Sequence, residues 1–183
     1  GRPIRVTPGP EGDVQGPQES MWGYTNPAVG DWTGDGNPDL ILGTSLGSCL
    51  AMLTAAHEPL VKAAALNHIS PYVADVVWEG LSTAHVRAGL DGAIDLDLLR
   101  RLWLPISPHP YIGRLRDTPA LLVYARYDLS FPVRLSRRLI ADFERFGIRH
   151  DVTVLPCGHY TTGRAPFKWM DGYALVQFLR RTL

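Results

Sequence analysis

Lysine is scarce in this chain: Lys62 and Lys168 are the two among 183 residues. Lys+Arg 18 balances Asp+Glu 18, so the formal net charge is zero. No field of one sign is present to draw nucleic acid or an anionic membrane surface. Cysteine is also rare. Cys49 and Cys157 are too few for a disulfide framework and read as small apolar fillers near a site. No apolar run approaches the roughly 20 residues of a membrane span, since His, Asp or Gly interrupts each long window. Gly1-Arg2-Pro3-Ile4-Arg5 is not followed by the apolar stretch of a signal peptide. The expected product is soluble, and the missing initiator Met points to a processed chain or a fragment. There is no Gly-rich phosphate loop, no Cys/His zinc spacing, no basic–aromatic stripe and no internal repeat. Location and oligomeric state stay open.

What is present starts with Gly43-Thr44-Ser45-Leu46-Gly47. An apolar run, Leu40-Ile41-Leu42, precedes it, and a helix-like run, Cys49-Leu50-Ala51-Met52-Leu53, follows. Strand, sharp turn and helix is the context that gives Gly-x-Ser-x-Gly its chemical meaning. The turn leaves no room for a Cβ beside the serine, so glycine flanks it. The hydroxyl is held exposed in a strained conformation at a helix start, where free N–H groups meet an anion.

Two later stretches supply the partners. Ala120-Leu121-Leu122-Val123-Tyr124-Ala125 reads as a buried strand and leads into Arg126-Tyr127-Asp128. Asp151-Val152-Thr153-Val154-Leu155-Pro156 reads as another and leads into Cys157-Gly158-His159. Catalytic groups of open α/β sheets gather past the carboxyl ends of the strands. The order Ser45, Asp128, His159 is that of an α/β-hydrolase triad. Ser45 is the expected nucleophile and His159 the base that activates it. Asp128 orients the imidazole, and the Leu46 N–H is the first oxyanion donor. Asp128 also fits the N-cap of a helix entering at Phe131-Pro132.

From Gly43 to the end the chain resembles the C-terminal half of an α/β-hydrolase, most closely the group called abhydrolase domain-containing protein 18. The likeness rests on Gly-Thr-Ser-Leu-Gly-Ser-Cys at 43–49, Asn67-His68-Ile69-Ser70 and Ala74-Asp75-Val76-Val77-Trp78. It continues in Tyr127-Asp128-Leu129-Ser130-Phe131-Pro132 and Leu155-Pro156-Cys157-Gly158-His159-Tyr160. It implies an α/β fold, a parallel sheet with flanking helices. It also implies serine esterase or lipase chemistry on a small ester or similar acyl substrate, without a cofactor.

The first 42 residues differ. Residues 1–19 are rich in Pro and Gly and read as a loop or disordered lead. Asp31-Trp32-Thr33-Gly34-Asp35-Gly36-Asn37-Pro38-Asp39 then sets Asp31, Thr33, Asp35 and Asp39 at positions one, three, five and nine of an oxygen-ligand loop. Ca²⁺ takes several such oxygens. The bidentate Glu of an EF-hand is missing, since Leu42 stands at position twelve. The stretch resembles one FG-GAP repeat of integrin-type β-propellers, although Thr33 replaces the usual Asn or Asp. A plain Asp/Gly-rich turn is the alternative. The two resemblances meet at Leu40-Ile41-Leu42. The sequence reads as a junction: a natural fusion, an engineered chimera or an assembly error. The division is 1–42 and 43–183. No His-Gly loop precedes the elbow to give the second oxyanion N–H, so weak turnover is expected.

Past the elbow, helix is expected over 45–57 and strand over 61–67. Helical runs follow in an insert over 71–119, where hydrolases carry a cap, with Ser82 and Asp95 as N-caps. An amphipathic helix spans 132–146, with Leu135, Leu139, Phe143 and Phe146 on one face and Gly147 as its stop. The closing helix, 167–183, sets Tyr173, Val176, Leu179 and Leu183 on one stripe. His57, His68, His85, His109 and His150 show no ligand spacing, and His68 alone stands where it could wall the site. Asp75 and Trp78 share a helical face as pocket lining or, as the simpler reading, a capping carboxylate and a packed aromatic. Three functions compete: a serine hydrolase, a non-catalytic Ca²⁺- or protein-binding module carried by the FG-GAP-like stretch, and a hydrolase scaffold with a triad but no turnover.

Overall fold

The computed structural model describes residues 28–31, 33–37 and 39–183. The Pro/Gly-rich lead at 1–19, and Trp32 and Pro38 of the acidic loop, lie outside the described residues.

Among the described residues, five strands form one sheet in the order β1 to β5. They are β1 (Ala28–Gly30), β2 (Leu40–Thr44), β3 (Ala63–Asn67), β4 (Ala120–Ala125) and β5 (His150–Leu155). β1 runs antiparallel to β2, and the other pairings are parallel. Parallel neighbours need crossovers, which helices provide. α1 (Leu46–Ala55) links β2 to β3, and α5 (Val133–Phe146) links β4 to β5. Between β3 and β4 come α2 (Val73–Glu79), α3 (Ala84–Leu90) and α4 (Leu96–Leu102), with 3₁₀ turns at Leu81–Thr83, Leu104–Ile106 and His109–Leu115. α6 (Phe167–Thr182) ends the chain.

The central strands are mostly apolar, in keeping with the cover on both of their faces. Successive side chains alternate between two cores. Ile41, Ala64, Leu66 and Leu122 pack with Met52 of α1 and with Leu135, Leu139 and Phe143 of α5. Leu40, Ala63, Ala65, Leu121 and Val123 pack with Phe178 and Leu179 of α6. The stop at Gly147 takes a left-handed φ of 66°, which glycine adopts without strain.

Four local expectations change. The third strand opens at Ala63, because the Lys62 and Ala63 N–H groups both donate to the Asp39 carbonyl. α1 closes at Ala55, short of His57. Ser82 caps no helix, since it lies inside the turn Leu81–Thr83, and α3 starts after Thr83. Asp95 does cap α4, accepting from the Leu98 N–H at 2.7 Å. In α6, Tyr173 and Val176 face solvent and the buried stripe runs through Phe178 and Leu179, with Ala174, Leu175 and Leu183 beside it. Trp169, Met170, Tyr173 and Val176 are all apolar yet exposed, so apolar spacing gave no single phase for this helix.

Candidate active site

Ser45 sits between β2 and α1 with φ 59°, a positive value in a residue that is not glycine. Hydrogen bonds from Ser45 and Ser48 and a close approach at Gly43 hold this strained turn. The Ser45 N–H donates to the Asn67 carbonyl at the end of β3, at 2.8 Å. The buried Ser48 hydroxyl lies 2.6 Å from the Gly43 carbonyl and 2.5 Å from the Asn67 carbonyl, and its single proton serves one at a time. A Cβ on Gly43 would lie 2.3 Å from the Gly47 carbonyl oxygen, so α1 can start this close to β2 only with glycine there. Leu46 opens α1 at a position whose N–H has no partner within a helix.

The ladder between β4 and β5 continues past the strand ends. Arg126 N–H donates to the Leu155 carbonyl at 2.8 Å, and Tyr127 N–H to the Cys157 carbonyl at 3.0 Å. This pairing sets the Asp128 and His159 loops side by side. His159 Nδ1 lies 2.7 Å from Asp128 Oδ2, and His159 Nε2 lies 3.0 Å from Ser45 Oγ. Phe131 stacks on the His159 ring at 5.3 Å between centroids, with 8° between the planes.

Asp128 is buried. Burial raises its pKa, yet hydrogen bonds from His159 and His68 outweigh that and hold the carboxyl well below the usual carboxylate range. Its Oδ1 accepts the Ser130 and Phe131 N–H groups at 2.9 and 2.8 Å. An ionised carboxylate only accepts, so His159 Nδ1 carries the proton that points at it. Neutral His159 therefore has a bare Nε2, and the Ser45 hydroxyl donates to it. A serine, an accepting imidazole nitrogen and an orienting carboxylate in this line can carry out nucleophilic acyl transfer.

His68, which the sequence sets only where it could wall the site, is bonded to Asp128. His68 is buried, takes φ 52°, and sets Nδ1 3.2 Å from Asp128 Oδ2. Its Nε2 shares a 2.7 Å hydrogen bond with Thr162 Oγ1. The signal available was its place just past a strand end. The other histidines lie elsewhere: His57 and His150 each hold a nearby backbone carbonyl, His85 is exposed, and His109 packs on Tyr72. Both cysteines are free and buried. Burial pushes the Cys49 thiol up to about 12, as expected of an inert filler. Asp75 pairs with Arg100 through 2.6 and 3.2 Å contacts and ties α2 to α4.

In the acidic loop the carboxylates of Asp31, Asp35 and Asp39 do come together, with oxygens within 4.8 Å of one another. Each already serves the chain itself. Asp31 accepts the Gly34 and Gly36 N–H groups, and Asp35 accepts that of Asn37. Asp39 Oδ2 accepts both the N–H and the hydroxyl of Thr33. The Lys62 ammonium lies 2.6 Å from Asp39 and 3.7 Å from Asp35. It holds the Asp39 carboxyl well below its usual range, with help from Thr33. Lys62 offsets one of the three negative charges, and these residues fit a turn paired with its own lysine better than a calcium cage, which needs at least six free oxygens or so around one centre.

The fold matches solved structures. Acylaminoacyl peptidase of Pyrococcus horikoshii superposes with a TM-score of 0.65 at 19% identity, over 79% of this chain and 24% of that one. The Pyrococcus furiosus esterase Pf2001 gives 0.56 at 16% identity, over 78% and 52%. Acetyl xylan esterase 1 from Thermoanaerobacterium sp. gives 0.53 at 16%, over 75% and 44%. This is an α/β-hydrolase fold. The chain spans from about a quarter to about a half of these neighbours' lengths. Comparison with family models and with curated proteins yields no match. The finer likeness to abhydrolase domain-containing protein 18 and the FG-GAP likeness gain no support from these neighbours.

Proposed function

We propose that residues 43–183 are the C-terminal half of a serine hydrolase acting on an ester or similar acyl substrate, with residues 71–119 as a helical insert over the site. The observation that carries this reading is the line from Ser45 Oγ to His159 Nε2 at 3.0 Å and from His159 Nδ1 to Asp128 Oδ2 at 2.7 Å. The strained Ser45 backbone supports it, because strain of about 1–3 kcal/mol persists where surrounding structure holds it and clusters at active sites.

The chemistry follows from the geometry. Ser45 Oγ attacks the acyl carbon while its proton passes to His159 Nε2. The oxyanion that forms meets the Leu46 N–H at the start of α1. The imidazolium, held by Asp128, returns the proton to the leaving alcohol as the C–O bond breaks. Water then repeats the sequence on the acyl-Ser45 ester and restores the hydroxyl. Apolar side chains adjoin each participant in the chain and are exposed: Leu46, Tyr127, Leu129 and Tyr160. They suit an acyl group with an apolar portion. The test is hydrolysis of short and medium-chain p-nitrophenyl esters, lost in Ser45→Ala. Turnover that survives Ser45→Ala would assign the activity to another group.

The calcium-module reading lacks a comparable observation, because Lys62 already supplies the cation among the loop carboxylates.

A further inference from the structure

We propose that His68 is a positioning residue that fixes the Asp128 carboxylate for His159, a role that rests on the hydrolase reading above. Two imidazoles share one oxygen. Asp128 Oδ2 lies 2.7 Å from His159 Nδ1 and 3.2 Å from His68 Nδ1. The other oxygen takes the Ser130 and Phe131 N–H groups. A carboxylate offers about four lone-pair sites, and four donors meet this one. Its plane is thereby fixed from both edges: the loop after β4 holds Oδ1, and the histidines from the ends of β3 and β5 hold Oδ2. Without His68, the carboxylate would have one oxygen held only by the ring it must orient.

His68 is itself held. Its backbone N–H donates to the Val123 carbonyl at 2.7 Å, which carries the β3–β4 pairing to its last residue. Its Nε2 is bonded to Thr162 Oγ1, in the turn that follows His159. Thr162 also lies 3.5 Å from Cys157 Sγ. The side chain is 1% exposed, and the His68 and His159 rings lie 4.8 Å apart, tilted by 54°. Asp128 accepts only, so His68 Nδ1 must carry a proton in either state of the ring. A buried histidine in a left-handed conformation, aimed at the orienting carboxylate and anchored behind, acts through Asp128 and touches no substrate. A purely structural His68 would need the ring as a whole. A positioning His68 needs the Nδ1–H above all.

Two substitutions separate these roles. The side-chain amide nitrogen of Asn lies near the position of ring Nδ1, and that of Gln near Nε2. Asn also tolerates the positive φ. Inactivation by a fluorophosphonate reads Ser45 reactivity, and its saturating rate separates reactivity from reagent binding. His68→Gln should lower that saturating rate by about 10- to 100-fold with the half-saturating concentration unchanged, while His68→Asn recovers most of it. In ¹⁵N-edited proton spectra of the wild-type chain, His68 and His159 should each show a far-downfield Nδ1–H, told apart by His159→Gln. Equal rates in His68→Gln and His68→Asn, or a His68 protonated on Nε2 alone, would overturn the proposal. Both downfield protons in a wild-type chain that the fluorophosphonate does not label would overturn the hydrolase reading and leave the shared carboxylate standing. That spectrum needs no variant of His68 to fold.

Discussion

Ser45 Oγ and His159 Nε2 lie 3.0 Å apart although 114 residues separate them in the chain. The sheet produces this meeting. β2, β3, β4 and β5 run parallel, so the loops after them gather at one edge. Ser45, His68, Asp128 and His159 each follow one of these strands, which makes the site a property of the sheet rather than of any one loop.

Gly43 should tolerate no side chain. In Gly43→Ala the new Cβ would lie 2.3 Å from the Gly47 carbonyl oxygen, and that atom is backbone. Relieving the overlap means moving α1 away from β2. We expect a loss of about 1–3 kcal/mol, a fall of several degrees in melting temperature. Displacing Ser45 should slow fluorophosphonate labelling about 10²-fold. An unchanged melting temperature with unchanged labelling would contradict the geometry of the elbow.

Stability should fall in acid, in part through Asp128. Its carboxyl is held well below the usual range in the folded chain, so the unfolded chain binds the proton more readily. The contribution is complete above the unfolded value, about 3.9, and is lost as pH falls through the lower folded value. Asp39, lowered by Lys62, acts in the same direction. Urea midpoints measured from pH 6 down to 3 should drop on the acid side, less steeply in Asp128→Asn. A wild-type acid limb no steeper than that variant's would show that the Asp128 bonds contribute nothing to folding.

The acidic loop should behave as an ordinary turn. Calorimetry of the folded chain with millimolar Ca²⁺ should give no binding heat, because Lys62 already sits against Asp39 and Asp35. Lys62→Met should destabilise the chain by leaving the buried Asp39 with Thr33 as its remaining side-chain partner. Saturable calcium heat in the wild-type chain would restore the metal-loop reading.

Much of the fold was legible because its signals are local. The β4 run of six apolar residues became a strand with the expected bounds, as a doubly covered strand should. α5 buries Leu135, Leu139 and Phe143 as its spacing indicates, since its other faces are charged. The stripe named for α6 is split, with Leu179 and Leu183 against the core and Tyr173 and Val176 in solvent, because its exposed face is apolar too. The elbow was visible as glycine, serine and glycine between strand and helix. His68 was not connected to Asp128, because a single histidine has no pattern of its own and its partner stands 60 residues later. Lys62 was missed as the partner of the acidic loop for the same reason, at a separation of 23 residues. Both errors concern pairs made by the sheet, which sequence spacing does not encode.

The most direct measurement is the site of covalent labelling. The wild-type chain should be treated with a fluorophosphonate, digested and mapped by mass spectrometry, beside Ser45→Ala and His159→Gln. One adduct is expected, on Ser45, absent from Ser45→Ala and formed at least about 10²-fold more slowly in His159→Gln. An unlabelled wild-type chain, or an adduct on another residue that persists in Ser45→Ala, would contradict the hydrolase reading.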